Sequence, residues 1–296
     1  KTNTAVFFFF FFTANTMAEK INIFWFRRDL RADDNAGLYH ALKSGNPVLP
    51  IFIFDKHILN KLQDKSDRRV AFIHAALETL QQTMVHAGSS LIIYHDTPEN
   101  AFKNLVSKYD ISAVFTNHDY EPYAAERDAG IKKFLDMHGI NMLTYKDQVI
   151  FEKNEILKDD GKPYTVFTPY SRKWKATLTS TQLDSYSCKK YHSNFFKHPE
   201  SKIPSLKQLG FHESAIPFPS NELQEELIKK YGKERDFPGI NGTSKLGVHL
   251  RFGTISIRQL AAKTKHLSET YLNELIWRDF YHMILWHFLH VGRGIS

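Results

Sequence analysis

Short apolar runs alternate with amphipathic segments through the first half of the chain. The runs are apolar enough to be strands that are buried on both faces of a parallel sheet. They cover residues 21–26, 48–54, 91–94, 113–116 and 142–145. This alternation predicts an α/β fold with a doubly wound, Rossmann-like parallel sheet, whose binding sites lie at the carboxyl ends of the strands.

Helical spacing of apolar residues is clearest after Ser66, the predicted N-cap of one helix. That spacing is shown by Val70, Ile73, Leu77, Leu80 and Met84. From residue 148 to about 220 the pattern gives way to prolines among Lys, Ser and Tyr, which predicts a long interdomain linker. After residue 221 only helical periods return. We therefore predict an α/β domain over 17–147, a linker over 148–220 and an incomplete all-helical unit over 221–296.

The first 16 residues are set aside from the fold. They contain an unbroken phenylalanine run at 7–12, and the first methionine of the chain is Met17. Their one lysine, short apolar block and following small residues faintly resemble a signal peptide. We interpret them as a read-through or non-native leader, with translation starting at Met17.

One predicted helix, over residues 270–288, carries a polar and aromatic face. Its apolar side is formed by Leu272, Leu275, Ile276, Phe280, Met283 and Ile284. The opposite face, at 100° per residue, gathers Glu274, Trp277, Arg278 and Tyr281. Aromatic rings stack on bases, a carboxylate accepts hydrogen bonds from ring N–H groups, and arginine binds phosphate. We favour a base-recognition surface over the alternative of a solvated amphipathic face.

Other motifs are weaker on their own. The glycine-flanked GTSKLG turn, 242–247, could cradle a phosphate, but its order is not that of a P-loop, and a helix cap is the alternative. The WFRRDLRADDN string, 25–35, is interpreted as an ion-pair network at a strand–helix turn. We assign His282, His287 and His290 to the core or an interface, and predict no metal site.

Composition adds a compartment and a class of partner. A single cysteine, Cys188, excludes a disulfide framework and indicates a reducing compartment. Residues 148–296 hold 22 Lys and Arg against 15 Asp and Glu, whereas residues 19–147 hold 16 against 17. This one-sided excess suggests a polyanion partner for the second half, and a merely solvated basic surface is an equal alternative. No stretch has the ~20 apolar residues of a membrane span.

Taken together, the motifs resemble the DNA photolyase/cryptochrome family, with matching order and spacing after about residue 20. The resemblance is carried by WFRRDLRADDN, YEPYAAERD, YTVFTPYSRKW, YGKERDFP with GTSKLG, and ELIWRDFY. ELIWRDFY looks most like the class I cyclobutane pyrimidine dimer photolyases. The resemblance implies a carbon–carbon lyase that repairs these dimers in DNA under blue light, by electron transfer from reduced FAD to a flipped-out dimer.

The resemblance also implies roles for individual residues. Its FAD contacts would be Tyr231, Thr243, Ser244, Lys245, Leu246, Gly247 and Tyr271. Its dimer and DNA contacts would be Glu274, Trp277, Arg278 and Tyr281. No catalytic residue is assigned, because the flavin carries the chemistry.

Two departures from the family pattern qualify this implication. Tyr123 and Ala124 stand where folate-binding relatives have an Asn-Glu pair, so we predict no conventional folate contact there. A second antenna chromophore, folate or deazaflavin, stays open. Relatives also continue past the Trp277 helix, so we expect a C-terminally truncated chain of roughly three-fifths of a photolyase. We predict a cytoplasmic monomer; the alternatives are a cryptochrome-like photoreceptor without repair activity and a non-catalytic truncated product.

Overall fold

The computed structural model describes residues 19–213 and 216–293. The predicted leader, residues 1–16, lies outside the described residues. None of the helices in the described ranges has both the length and the apolar character that crossing a membrane requires.

Five parallel strands form one sheet. They are β1 (Ile21–Phe26), β2 (Val48–Asp55), β3 (Ile92–Asp96), β4 (Ile111–Asn117) and β5 (Asn141–Tyr145). Their order is β3-β2-β1-β4-β5, and every neighbouring pair is parallel. The α/β prediction is confirmed, and the change of direction beside β1 places a topological switch point between β1 and β4.

Side chains of the central strands alternate between two apolar cores. Phe24 and Phe52 belong to one buried cluster, whereas Ile23 and Ile51 belong to the cluster on the other face. Successive residues of a strand point to opposite faces, so a strand that is apolar at every position needs cover on both. That is why the runs of β1 and β2 lack the alternation of a one-sided sheet. The prediction of full burial was wrong for the edge strands, because each has a neighbouring strand on one side only: β3 is half-buried, and β5 is largely exposed.

Helices cover both faces of the sheet. They are α1 (Ala36–Lys43), α2 (Lys56–Leu59), α3 (Arg68–His86), α4 (Pro98–Lys108) and α5 (Pro122–Met137). The N-cap of α3 is Asp67, whose side chain accepts a hydrogen bond from the Arg69 amide, so the prediction of Ser66 was wrong by one residue. Aspartate and serine cap helices equally well, so composition alone did not decide between them.

The segment 148–220 contains α6 (Phe167–Thr177) and contributes to two cores. Ile150 and Trp174 are buried with the helical unit, whereas Phe195 is buried against the sheet. The Phe196 amide donates to the Val48 carbonyl over 2.8 Å, beside the start of β2. The domain bounds stay a prediction, but this segment packs tightly against both units that it connects.

Four further α-helices form the second unit within the described residues 216–293. They are α7 (Glu225–Glu234), α8 (Gly247–Phe252), α9 (Ile257–Thr264) and α10 (Glu269–His287). The predicted apolar side of α10 is buried from Leu272 to Met283, and Ile284 packs against the same cluster.

Arginines of the string 25–35 find their carboxylate partners elsewhere in the chain. The pairs are Arg27–Asp128 at 2.5 Å, Arg28–Glu121 at 2.6 Å and Arg31–Asp147 at 2.7 Å. The predicted ion-pair network therefore exists, but it ties the strand–helix turn to α5 and to the end of β5 rather than closing on itself.

Candidate functional site

The turn 243–247 connects the loop after α7 to the start of α8. Just before it, an added Cβ on Gly242 would lie 2.5 Å from the Glu234 carbonyl oxygen, so this position requires glycine. Thr243 and Lys245 are exposed, and Ser244 is half-buried. The turn thus presents a hydroxyl and an ammonium group to solvent on a fixed backbone.

The backbone of this turn suits an anion. Lys245 has a left-handed φ of 55°, and Leu246 follows with a right-handed φ of −76°. Alternation of this kind turns successive amides toward one concavity, which is the geometry of an anion-binding nest. Gly247 adds no side chain at the start of α8. The residues present therefore fit a phosphate group, as a flavin dinucleotide would supply.

Three of the predicted cofactor residues, from three separate elements, meet beside this turn. The Tyr231 ring of α7 meets the Tyr271 ring of α10 edge to face, with centroids 5.0 Å apart. The Tyr271 hydroxyl lies 3.1 Å from the Ser244 hydroxyl. Burial raises the pKa of Tyr271, so its phenol remains a neutral hydrogen-bonding group near pH 7.

Glu274 joins this cluster through an arginine that the sequence analysis did not assign. The Arg235 guanidinium donates a hydrogen bond to the Glu274 carboxylate and lies 5.7 Å from the centroid of the Tyr231 ring. Arg235 is part of the YGKERDFP motif, one helical turn after Tyr231. That spacing was a usable signal, because residues i and i+4 share a helix face.

A stack of aromatic rings follows Glu274 along α10. The Phe167 and Trp277 rings are 3.7 Å apart and within 5° of parallel, and Tyr281 stacks on Trp277 at 5.4 Å. Tyr281 is 58% exposed, so the stack reaches the surface. The structure thus brings Trp277 and Tyr281 into contact and adds Phe167, while Glu274 lies three residues before Trp277 on the same helix.

Arg278, the fourth residue of the predicted face, binds main-chain carbonyls instead of facing a ligand. Its guanidinium donates to the main-chain carbonyls of Gln148 and Leu250, and burial lowers its pKa. A guanidinium committed to two carbonyls is a structural link between segments. Arg278 is therefore not a free cation beside Trp277. Helical spacing predicts which face of α10 carries Arg278, but it does not predict which chain segment packs against that face.

A polar cavity of about 210 Å³ lies beside Arg278. His282 lines it, and burial together with the Arg278 charge lowers the pKa of His282 to about 3, so this ring is neutral. His287 is also at an interface, 3.1 Å from the Lys153 carbonyl oxygen. These positions agree with the assignment of His282 and His287 to packing. His290 is exposed, so its assignment to the core or an interface was wrong.

The carboxyl edge of the sheet holds a second candidate site. A cavity of about 190 Å³ opens there, between the ends of β1 and β2 and the start of α5. Its walls combine aromatic rings with arginines, and both Tyr123 and Ala124 line it. The Tyr123 hydroxyl donates to the Asp55 carboxylate across the cavity. Flat apolar walls with cations suit a planar, anionic ligand.

Arg127 strengthens that interpretation. Its Nη2 atom is buried without a hydrogen bond of acceptable geometry within the described ranges, although Asp128 Oδ1 lies 2.9 Å away. Its guanidinium also lies 4.9 Å from the Trp25 ring centroid, and burial lowers its pKa. A buried donor beside a cavity is what a bound acceptor would satisfy.

A larger groove of about 920 Å³ separates α3 from α9. Leu246 is the one predicted site residue among its lining residues, all of which are described. Size alone therefore does not locate the candidate chemistry, which lies on α10 and at the sheet edge.

Comparison with known proteins places this chain in one family. The family model for DNA photolyase matches residues 22–188. A deoxyribodipyrimidine photo-lyase of Synechococcus sp. is 33% identical over 92% of this chain and 62% of its own length. The chain thus spans about three-fifths of the length of the curated photo-lyases that it matches.

Solved structures show the same fold. A bacterial class III photolyase from Agrobacterium tumefaciens superposes with a TM-score of 0.76, covering 95% of this chain and 62% of that one, at 23% identity. An archaeal photolyase from Sulfolobus tokodaii, described with two FAD molecules, gives a TM-score of 0.70 at 26% identity. This superposition covers 91% of this chain and 60% of the Sulfolobus tokodaii chain.

Proposed function

Since this chain belongs to the DNA photolyase family, we propose that it serves the light-driven repair of cyclobutane pyrimidine dimers in DNA, with FAD as its cofactor. The observation that carries the proposal is the convergence of the 243–247 turn, Tyr271 and Glu274 on one side of α10. When bound, reduced FAD would supply the light-excited electron donor.

The turn and its neighbours suit the cofactor's phosphates and rings. The amides of the nest, the Thr243 hydroxyl and the Lys245 ammonium would hold phosphate, because each is a donor or a cation at the surface. Tyr231 and Tyr271 supply aromatic edges and hydroxyls next to that turn. These residues orient a ligand, whereas the electron transfer belongs to the cofactor.

The face of α10 suits a pyrimidine pair taken out of the duplex. Arg235 holds the Glu274 carboxylate, which can accept a hydrogen bond from a ring N–H while the aromatic stack contacts the base faces. The basic excess of residues 148–296 supports binding to the phosphate backbone. Glu274 and Trp277 support repair over a purely signalling role.

A second chromophore would occupy the cavity of about 190 Å³ between the ends of β1 and β2. The Sulfolobus tokodaii photolyase, with its two FAD molecules, shows that a protein of this fold accommodates more than one flat chromophore. Tyr123 and Ala124 line the cavity here, which supports a planar ligand other than a conventionally bound folate; a deazaflavin would suit. We propose a monomer that acts in the cytoplasm, in keeping with the single, buried Cys188.

Replacing Trp277 with alanine should weaken binding to dimer-containing DNA by ~1–3 kcal/mol, because a stacking ring is lost. Affinity is measured by fluorescence anisotropy with an oligonucleotide that carries one thymine dimer. Trp286→Ala is the matched control, since this tryptophan is on the same helix and 39% exposed but packs beneath the Lys153 ammonium. Equal affinity of the Trp277→Ala variant and the unmodified chain would remove this surface from the proposal.

Replacing Lys245 with glycine should leave the turn folded but weaken its binding of FAD. Glycine adopts a left-handed φ without steric cost, so the unfolding free energy should stay within about 1 kcal/mol of the original. Affinity for FAD should fall by about 1 kcal/mol through loss of the cation. Lys245→Arg should keep the affinity. A glycine variant that binds FAD normally would exclude the lysine from the phosphate site.

A further inference from the structure

Trp277 stacks with two other rings of this chain. Phe167 covers one face at 3.7 Å, and Tyr281 stacks at 5.4 Å. Within the described ranges Phe167 and Tyr281 make no ring contact with each other, so Tyr281 does not share the indole face that Phe167 covers. A base can therefore stack on Trp277 only at the face away from Phe167, beside Tyr281, unless the Phe167 ring moves.

The two covering rings are held differently. Phe167 is packed against the buried cluster of the helical unit and meets the buried Phe280 ring edge-on at 6.0 Å. Tyr281 is 58% exposed, and within the described residues its ring contacts are with Trp277 and Phe280 of its own helix. Phe167 is thus the anchored ring, and Tyr281 is the ring on the solvent side.

Phe167 also comes from a different part of the chain. It begins α6, in the segment that connects the two units, 110 positions before Trp277. The indole plane is therefore set by two elements, the α10 backbone and the first ring of α6. Ring pairs hold a preferred orientation beyond what apolar burial gives, so an aliphatic side chain would not set this plane equally well.

We infer that Phe167 is a positioning residue, which fixes the Trp277 indole in the plane where a flipped pyrimidine stacks from the Tyr281 side. This inference rests on the proposed function. Phe167 touches no substrate itself. It acts by keeping the indole from tilting when a base displaces Tyr281 or slides beside it, so that no rotamer freedom has to be lost on binding.

The test uses the 296-residue chain with Phe167→Leu and Phe167→Tyr. Leucine keeps an apolar side chain but removes the planar ring, whereas tyrosine keeps the ring. Phe167→Leu should bind a dimer-containing oligonucleotide about threefold to tenfold more weakly, and Phe167→Tyr should bind like the original. Affinity for the undamaged duplex should be unchanged in both variants.

A spectroscopic signal separates positioning from packing. The near-ultraviolet circular dichroism that Trp277→Phe removes should also be lost in Phe167→Leu and kept in Phe167→Tyr. Normal dimer affinity in Phe167→Leu, or a gain in affinity on removal of the ring, would overturn the inference. If Trp277→Ala itself leaves dimer affinity unchanged, that result contradicts the proposed function and not only the role of Phe167. The two hypotheses are therefore tested by different variants.

Discussion

Replacing Arg258 with methionine should lower the free energy of unfolding by about 3–5 kcal/mol, because it strips two buried carboxylates of their shared cation. The Arg258 guanidinium donates to Asp34 Oδ1 at 3.0 Å and to Asp147 Oδ1 at 2.8 Å. Arg31 supplies the second cation, 2.7 Å from Asp147 Oδ2. Burial alone would raise the pKa of Asp147, but the two arginines hold it below its ordinary value.

This network joins α9 to the α/β unit, so its loss should affect the whole described chain. The unfolding free energy is measured by urea denaturation at pH 7. A carboxyl whose pKa is lowered in the folded state stabilises the fold at pH values above its unfolded pKa, and this stabilisation is lost as the pH falls. The difference in unfolding free energy between the original chain and the methionine variant should therefore be smaller near pH 4 than at pH 7. Lys263→Met, an exposed cation on the same helix, is the control and should change stability by less than about 0.5 kcal/mol. A loss below about 1 kcal/mol in Arg258→Met would contradict the account of this network.

Replacing Asp279 with alanine should cost about 3 kcal/mol or more, because three buried donors lose their acceptor. Its Oδ2 accepts from the Ile150 and Phe151 amides, both at 3.1 Å, and from the Trp174 indole at 3.0 Å. These contacts fasten α10 to the connecting segment. Its Oδ1 is buried and has no hydrogen-bond partner within the described residues.

Asp279→Asn should behave differently and reveal a pH dependence. Burial raises the pKa of Asp279 from 3.8 to about 6. A folded-state pKa above the unfolded value gives stability that is complete below about pH 4 and is lost as the pH rises through about 6. Between pH 4 and pH 7, the unfolding free energy of the original chain should therefore fall by about 3 kcal/mol relative to that of the asparagine variant. Asparagine keeps an oxygen acceptor for the three donors and carries no charge at any pH.

Thermal or urea unfolding of the two variants across that pH range checks both expectations. The difference between the original chain and Asp279→Asn isolates this carboxyl from the other acids. A flat difference curve, or an alanine variant as stable as the asparagine variant, would contradict the buried-acceptor role of Asp279.

The sheet was predictable because its signal is local. The run 48–54 is apolar at every position and the run 21–26 at every position but Asn22, so the pattern alone predicts burial on both faces. The same holds for α10, where spacing gave the buried side from Leu272 to Met283. The cap of α3 was missed by one residue, since Ser66 and Asp67 offer the same chemistry.

Contacts between distant segments were not predictable from spacing. Glu274 and Trp277 were expected on one face of α10, but their partners, Arg235 and Phe167, lie on other elements. Arg278 shares that face in sequence and yet binds main-chain carbonyls, because the segment around Gln148 packs against it. A helical wheel fixes the direction of a side chain, whereas tertiary packing decides what it meets.

A visible-absorption titration of the 296-residue chain with FAD tests the central claim most directly. The account predicts saturable one-to-one binding with the structured band of an enclosed flavin ring, weakened in Ser244→Ala because that hydroxyl bonds to Tyr271. A chain that unfolds cooperatively, and is therefore folded, but leaves the flavin spectrum unchanged would contradict the claim that Tyr231, the 243–247 turn and Tyr271 form a cofactor site.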